Sequence, residues 1–367
     1  MKDEGKKKPG QRKSRVGASR GADPGGFLKN QIQPDPNLYQ LFLGQVEKTP
    51  TRTAVCTAAG NYTYEELDRK INGFAFELRQ RYGIGIADRA CILLDPGIEL
   101  VITLFALSRI GAVIIPLSAD EQTRRIRRLI RDSRGEFLIT DHGRMVGFCG
   151  AKVQVIPAEG SLFEGSNYDA CLPEFPVQDR EDEACILYRA GMTGGRPNRS
   201  VLSNSWLVNQ IRVMGLAFPL DHDRKVLLRS STNVMEMLWP LTSGARLLAA
   251  PLGATGMFPL VTTIIWESVT DLILTREEFY ILQGQEDFSH CLSLRRILFE
   301  GPLPDSGLLE GLKTVFPGIS TGRIPFAESG GHGIQMTGYS DHDGAWGNKS
   351  CFFGLVSEED GHDGKGI

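Results

Sequence analysis

From residue 60 onward, short apolar runs alternate with longer stretches whose apolar residues recur at helical spacing. Runs of the first kind suit strands buried on both faces, and stretches of the second kind suit helices laid against a sheet. No other feature constrains the fold as much, because parallel strands need long crossovers and a helix is the usual crossover. The predicted class is α/β, with stacked, mostly parallel sheets flanked by helices.

The individual elements follow from local signals. Thr63 and Glu66 form a candidate capping box, after which Leu67, Ile71, Phe74 and Leu78 repeat at helical spacing until Gly83 stops the helix. A strand over 90–94 leads into Asp95 and Pro96, read as an N-cap followed by proline in the first turn, and the next helix stops near Gly111. Strands are expected over 112–117, 137–140, 153–156 and 184–188, with an Arg-rich helix over 121–134. Residues 159–182, rich in Gly, Pro, Asp and Glu, read as a long connection. The pattern then resumes with helices over 206–216, 234–242, 259–268, 277–283 and 306–316, and strands over 225–229, 246–250, 272–274 and 296–299.

Charge and composition exclude several function classes. Residues 1–30 carry nine Lys/Arg against three Asp/Glu and almost no apolar residues, so they cannot bury enough surface to offset the entropy of ordering. A basic disordered tail is expected over 1–36. The whole chain has a net charge of −3, which gives no global field for nucleic acid or an anionic membrane. In the Arg-rich helix, Ile126, Leu129 and Ile130 supply the buried face. Its arginines read as a solvated surface, since no aromatic residues interleave with them for base stacking. The most apolar stretch, 98–117, is interrupted by Glu99, Ser108, Arg109 and Gly111, so no membrane span is expected. Seven widely spaced cysteines with no C-x-x-C pair argue against a disulfide framework or a zinc site and fit a reducing, cytoplasmic location. His222, His342 and His362 each lie beside Asp and read as ordinary turns.

Chemistry concentrates after the strand at 184–188, where Arg189-Ala190-Gly191-Met192-Thr193-Gly194-Gly195-Arg196-Pro197 forms a Gly-rich turn before a helix. Such a turn presents backbone N–H groups in a concave array that suits phosphate oxygens. Other segments surround it: Tyr62-Thr63-Tyr64-Glu65-Glu66-Leu67-Asp68, Ile110-Gly111-Ala112-Val113-Ile114-Ile115-Pro116-Leu117, Trp239-Pro240-Leu241-Thr242-Ser243-Gly244-Ala245-Arg246-Leu247, and Ser293-Leu294-Arg295-Arg296-Ile297. In order and spacing, these segments and the loop resemble the adenylate-forming (AMP-binding) superfamily of acyl-CoA synthetases and peptide-synthetase adenylation domains.

The resemblance implies an N-terminal lobe of that family over 37–340, a partial linker over 341–367, and no counterpart to the C-terminal lobe. It also implies activation of a carboxylic acid with ATP and Mg2+ to an acyl-adenylate. On that resemblance Gly191, Thr193, Gly194 and Gly195 would hold phosphate, Glu328 the metal, and Ser231 and Met235 would line the acid pocket. Ser231 stands where amino-acid-activating relatives place an Asp, which disfavours an α-ammonium substrate. Ala190, Met192 and Asn198 replace two hydroxyls and a lysine, Gly195 reads as an insertion, and Phe299 is expected to fill the adenine slot. Arg189, Arg196 or Arg199 would have to compensate. No catalytic residue is assigned within this chain.

Two readings follow. The first is a ligase weakened by these changes, or one completed by a separate C-terminal domain or a carrier protein. The second is a non-catalytic relative acting as a binding or scaffold subunit, or a truncated product.

Overall fold

The computed structural model describes residues 36–148, 150–158, 181–193, 196–249, 258–301 and 303–324, with the backbone alone at 189–193, 196, 258–259 and three short strands between 334 and 353. The tail expected over 1–36, apart from Pro36, lies outside the described residues. So do the connection at 159–180 and all of the linker over 341–367 except residues 351–353.

In chain order the elements begin with α1 (Leu38–Lys48), the hairpin β1 (Thr53–Thr57) and β2 (Gly60–Thr63), and α2 (Tyr64–Tyr82). They continue through β3 (Arg89–Leu93), α3 (Ile98–Ile110), β4 (Val113–Pro116), α4 (Thr123–Ser133), β5 (Phe137–Thr140), the single turn α5 (His142–Met145) and β6 (Gln154–Pro157). Next come β7 (Glu183–Thr193), β8 (Arg196–Ser203), α6 (Asn204–Ala217), β9 (Lys225–Leu227), α7 (Met235–Ser243) and β10 (Arg246–Leu248). The last part holds α8 (Phe258–Glu267), β11 (Asp271–Thr275), α9 (Arg276–Gln283), β12 (Arg296–Glu300), α10 (Ser306–Val315), β13 (Ser320–Ile324), β14 (Ile334–Met336), β15 (Gly338–Tyr339) and β16 (Cys351–Phe353).

Two large sheets result. One has the order β6-β5-β3-β4-β7-β8, and the other β15-β13-β12-β11-β9-β10-β1-β2. Interior pairings are parallel in both, and antiparallel strands occur at the edges, where β8 pairs with β7, β2 with β1 and β15 with β13. The α/β class read from the sequence is the one observed.

Period-2 alternation explains how the sheets stack. On β12, Leu298 enters the same apolar cluster as Ile92, Ile114 and Ile139 of the first sheet, whereas Ile297 and Phe299 enter a second cluster with Phe279 and Leu312. On β3, Ile92 faces the shared cluster, and Cys91 and Leu93 face a third one built on Ile126, Leu129 and Ile130 of α4. The shared cluster also takes in residues of α1, α2, α3, α6 and α7, which therefore lie between the sheets. The order of layers is α4, first sheet, central helices, second sheet, and then α8, α9 and α10.

Most local expectations hold in detail. Thr63 and Glu66 make the reciprocal capping box, and Gly83 ends α2 in the left-handed conformation, φ 76°. One expectation is corrected: the N-cap of α3 is Gly97, not Asp95. The Asp95 carboxylate instead accepts hydrogen bonds from Arg144 at 2.9 and 3.1 Å. Among the described residues, no helix is long and apolar enough to cross a membrane.

At the N-terminal ends of β9, β11 and β12 sits a buried ionic cluster. Asp271 is fully buried and accepts from Arg224 at 2.7 and 2.6 Å and from Thr270 at 2.6 Å, with Arg296 3.5 Å away. Arg296 also lies over the rings of Phe218 and Trp239, each at 5.8 Å. This cluster ties the strand starts together at the end opposite the candidate site.

Candidate functional site

In open parallel sheets ligands bind beyond the carboxyl ends of the strands. Here two such ends approach each other. The loop 228–234 after β9 carries Ser231, which is 8% exposed and donates its hydroxyl to the carbonyl of Leu117, just past β4 of the other sheet, at 3.5 Å. The expected pocket residue Ser231 therefore stands where the sheets meet. Met235, the other one, is buried at the start of α7 and belongs to the apolar cluster between the sheets.

Side chains from its surroundings fix the loop. Oε2 of Glu236 accepts the backbone N–H groups of Arg229 and Ser230, both at 2.7 Å. The Ser230 hydroxyl accepts from the N–H groups of Thr232 and Asn233 at 3.2 and 3.1 Å. Asn233 in turn donates to Oε2 of Glu300, at the end of β12, at 3.0 Å. The Arg229 guanidinium forks onto Glu278 at 2.7 and 3.3 Å and also donates to the carbonyl of Ile273 at 3.1 Å.

Electrostatics divide these carboxylates. Burial pushes Glu236 up to about 8, against the pull of the Arg229 charge and the two backbone donors, and the nearby Glu300 adds to the rise. Glu278 also suffers from burial, but its hydrogen bonds from Arg229 and the Thr275 cap outweigh that and hold it below the usual carboxylate range.

At the Gly-rich segment, the predicted strand-loop-helix begins with a strand pair. β7 runs on to Thr193 and β8 starts at Arg196, with Met192 opposite Pro197 and Thr193 opposite Arg196. The register shifts between Arg189 and Met192, which places Ala190 and Gly191 in a bulge. Residues 196–203 form an edge strand, a position that tolerates Pro197, and the helix expected over 206–216 begins at Asn204 behind the Ser203 cap. Gly194 and Gly195 lie outside the described residues, as does Glu328.

Below the bulge the hairpin is anchored to the Arg-rich helix. The Tyr188 hydroxyl donates to Asp132 at 2.8 Å, and Arg199 donates to the Asp132 carbonyl at 3.0 Å with its carboxylate 3.5 Å away. Arg199 is thus paired with Asp132. The expectation that Phe299 fills the adenine slot is also corrected. Its ring is fully buried on the outer face of β12, edge-on to Phe279 at 5.4 Å, because alternation along the strand turns it away from the shared cluster.

Sequence reasoning singled out Ser231 and the Gly-rich loop but not Asn233, Glu236 or Glu300 as builders of this wall. A signal for Glu236 was present: it is the only acid in a helix whose first seven residues are otherwise Met235, Met237, Leu238, Trp239, Pro240 and Leu241.

The family model described as AMP-binding enzyme matches residues 42–326, and the chain belongs to that family. Similar curated proteins include zwittermicin A synthase ZmaJ of Bacillus cereus, 27% identical over 57% of this chain and 40% of that protein. Bacitracin synthase 3 of Bacillus licheniformis is 26% identical over 77% of this chain and 4% of its own length. The chain therefore spans well under half of these relatives. Among solved structures, the nonribosomal peptide synthetase FmoA3 in its AMPPNP-bound form aligns with TM-score 0.68 at 21% identity, over 80% of this chain and 32% of the other. The Klebsiella oxytoca NpsA N-terminal subdomain in complex with 3-hydroxybenzoyl-AMSN aligns with TM-score 0.68 at 20% identity, over 80% and 73%. These structures share the fold.

Proposed function

We propose that the chain takes part in ATP-dependent activation of a carboxylic acid, at the cleft between the carboxyl ends of the two sheets. The observation that carries this reading is the Ser231–Leu117 hydrogen bond, which closes one sheet's acid-side loop against the end of the other sheet. The match of the AMP-binding enzyme family over 42–326 supports it.

The described residues fit ATP in part. The bulged hairpin offers backbone amides to the phosphates around Gly191 and Thr193, with Gly194 and Gly195 next in sequence. Hydroxyls are missing at Ala190 and Met192, and Asn198 supplies no cation, so phosphate charge is stabilised by few groups and binding is weak. Bound Mg2+ and ATP supply an electrophilic α-phosphorus and a pyrophosphate leaving group. Glu328 is the residue assigned to the metal.

On the acid side, Ser231 offers a hydroxyl and no charge, so the wall suits an acid without an α-ammonium group. Such a group would be buried here with no counter-ion at that position. A carrier protein is the partner this reading assigns.

Acid-dependent exchange of pyrophosphate into ATP tests the reading. Exchange is expected to be weak, because few groups hold the phosphates, and higher with aryl acids than with α-amino acids. No exchange with any acid, together with no ATP binding by calorimetry, would sink it and favour a scaffold role.

A further inference from the structure

We propose that Glu236 is a positioning residue that holds the loop 228–234 in the one conformation that places Ser231 and Asn233 on the wall of the acid pocket. The loop geometry stands by itself, and the word pocket rests on the function proposed above. Both amide donors, of Arg229 and Ser230, converge on the single oxygen Oε2 at 2.7 Å. Those two amides are where β9 turns out of its sheet, so fixing them sets the direction in which the loop leaves. Ser230 then passes the order on, since its hydroxyl accepts from the amides of Thr232 and Asn233. Asn233 carries it across to Glu300 on β12.

An apolar side chain of equal size would pack beside Met237 and Leu238 without the cost of burying a carboxyl, but it would leave two amides without an acceptor. Only one acceptor oxygen is used, so a neutral acid or an amide serves as well as a carboxylate. The charged groups facing Glu236 are Arg229 of its own loop and Glu300 of β12, with Glu278 of α9 reaching it through Arg229. Their balance with burial keeps the carboxyl protonated to about 8.

This gives the loop a pH signature of defined sign. When the loop opens, the carboxyl returns to water and to its ordinary value near 4.5. Between these values the closed state holds a proton that the open state has lost, so rising pH favours opening by about tenfold per pH unit, and the trend levels off above the closed-state value.

The experiment is amide hydrogen exchange, corrected for intrinsic rates, on the wild type, E236Q and E236L. At pH 7 the amides of Arg229, Ser230, Thr232 and Asn233 should be equally or better protected in E236Q and at least tenfold less protected in E236L, with Leu272, Ile273 and Leu274 of β11 unchanged. From pH 5 to 8 loop protection should fall in the wild type and stay level in E236Q, a comparison that remains decisive should E236L fail to fold. Retained protection in E236L, or equal pH slopes in the wild type and E236Q, would overturn the proposal. A second arm measures calorimetric binding of a hydroxybenzoyl sulfamoyl-adenosine analogue, expected unchanged in E236Q and at least tenfold weaker in E236L. Absence of binding by the wild type would count against the acid pocket alone, since the exchange arm judges Glu236 independently.

Discussion

Phe299 shows how far one side chain's facing decides a functional reading. Its position in the sequence puts an aromatic ring near the adenine slot, but the strand's alternation puts that ring into the outer core against Phe279. F299A should therefore cost about 3–5 kcal/mol of stability in denaturant unfolding, as expected for a buried aromatic. It should leave ATP affinity by calorimetry unchanged, and tighter binding in the variant would show that the ring blocks the slot. Ser231 was legible because a motif fixed its position. Glu300 and Asn233 were not, because their meeting at 3.0 Å joins residues far apart in sequence that only parallel pairing of distant strands brings together.

Among the elements, α2 is the most legible, because every signal that defines it is local: the Thr63 cap, the Glu66 return bond, the apolar stripe and the left-handed Gly83. The hairpin of β7 and β8 is the least. Gly, Pro and Arg residues hide its alternation, and the pairing that makes 196–203 a strand comes from Glu183 to Thr193 on the other side of the turn. The phosphate site proposed at its bulge lacks two hydroxyls and a cation, so restoring those groups should strengthen it. The combined change A190S, M192T and N198K with Gly195 deleted is expected to tighten ATP binding at least tenfold by calorimetry. An unchanged affinity would show that the loop's chemistry is not what limits binding.

For the whole molecule, the central helices bind the two sheets into one apolar cluster that runs from Ile92 and Ile139 to Ile273 and Leu298. No boundary of weak contacts separates the sheets at that level, so they are expected to unfold together. Circular dichroism and tryptophan fluorescence should report coincident denaturant transitions, with the buried Trp239 between the sheets as the dominant reporter. Two separated transitions would mean that the shared core does not couple them. The layered class was readable from alternation alone, but strand order was not, since it depends on which distant strands pair.

One of those pairings bears on how the chain is made. β1 lies between β2 and β10, with Val55 opposite Leu247 and Cys56 opposite Leu248, while the intervening sequence builds all of the other sheet. At roughly 5–20 residues per second on a ribosome, about 10–40 s separate the synthesis of the two partners. During that interval β1 has β2 on one side and an unsatisfied row of amides and carbonyls on the other, with Val55 lacking its final neighbour. The nascent chain therefore spends its most aggregation-prone period with the earliest strand waiting for a late one, and a chaperone that shields residues 53–57 would act on that strand before it could act on any part of the cleft.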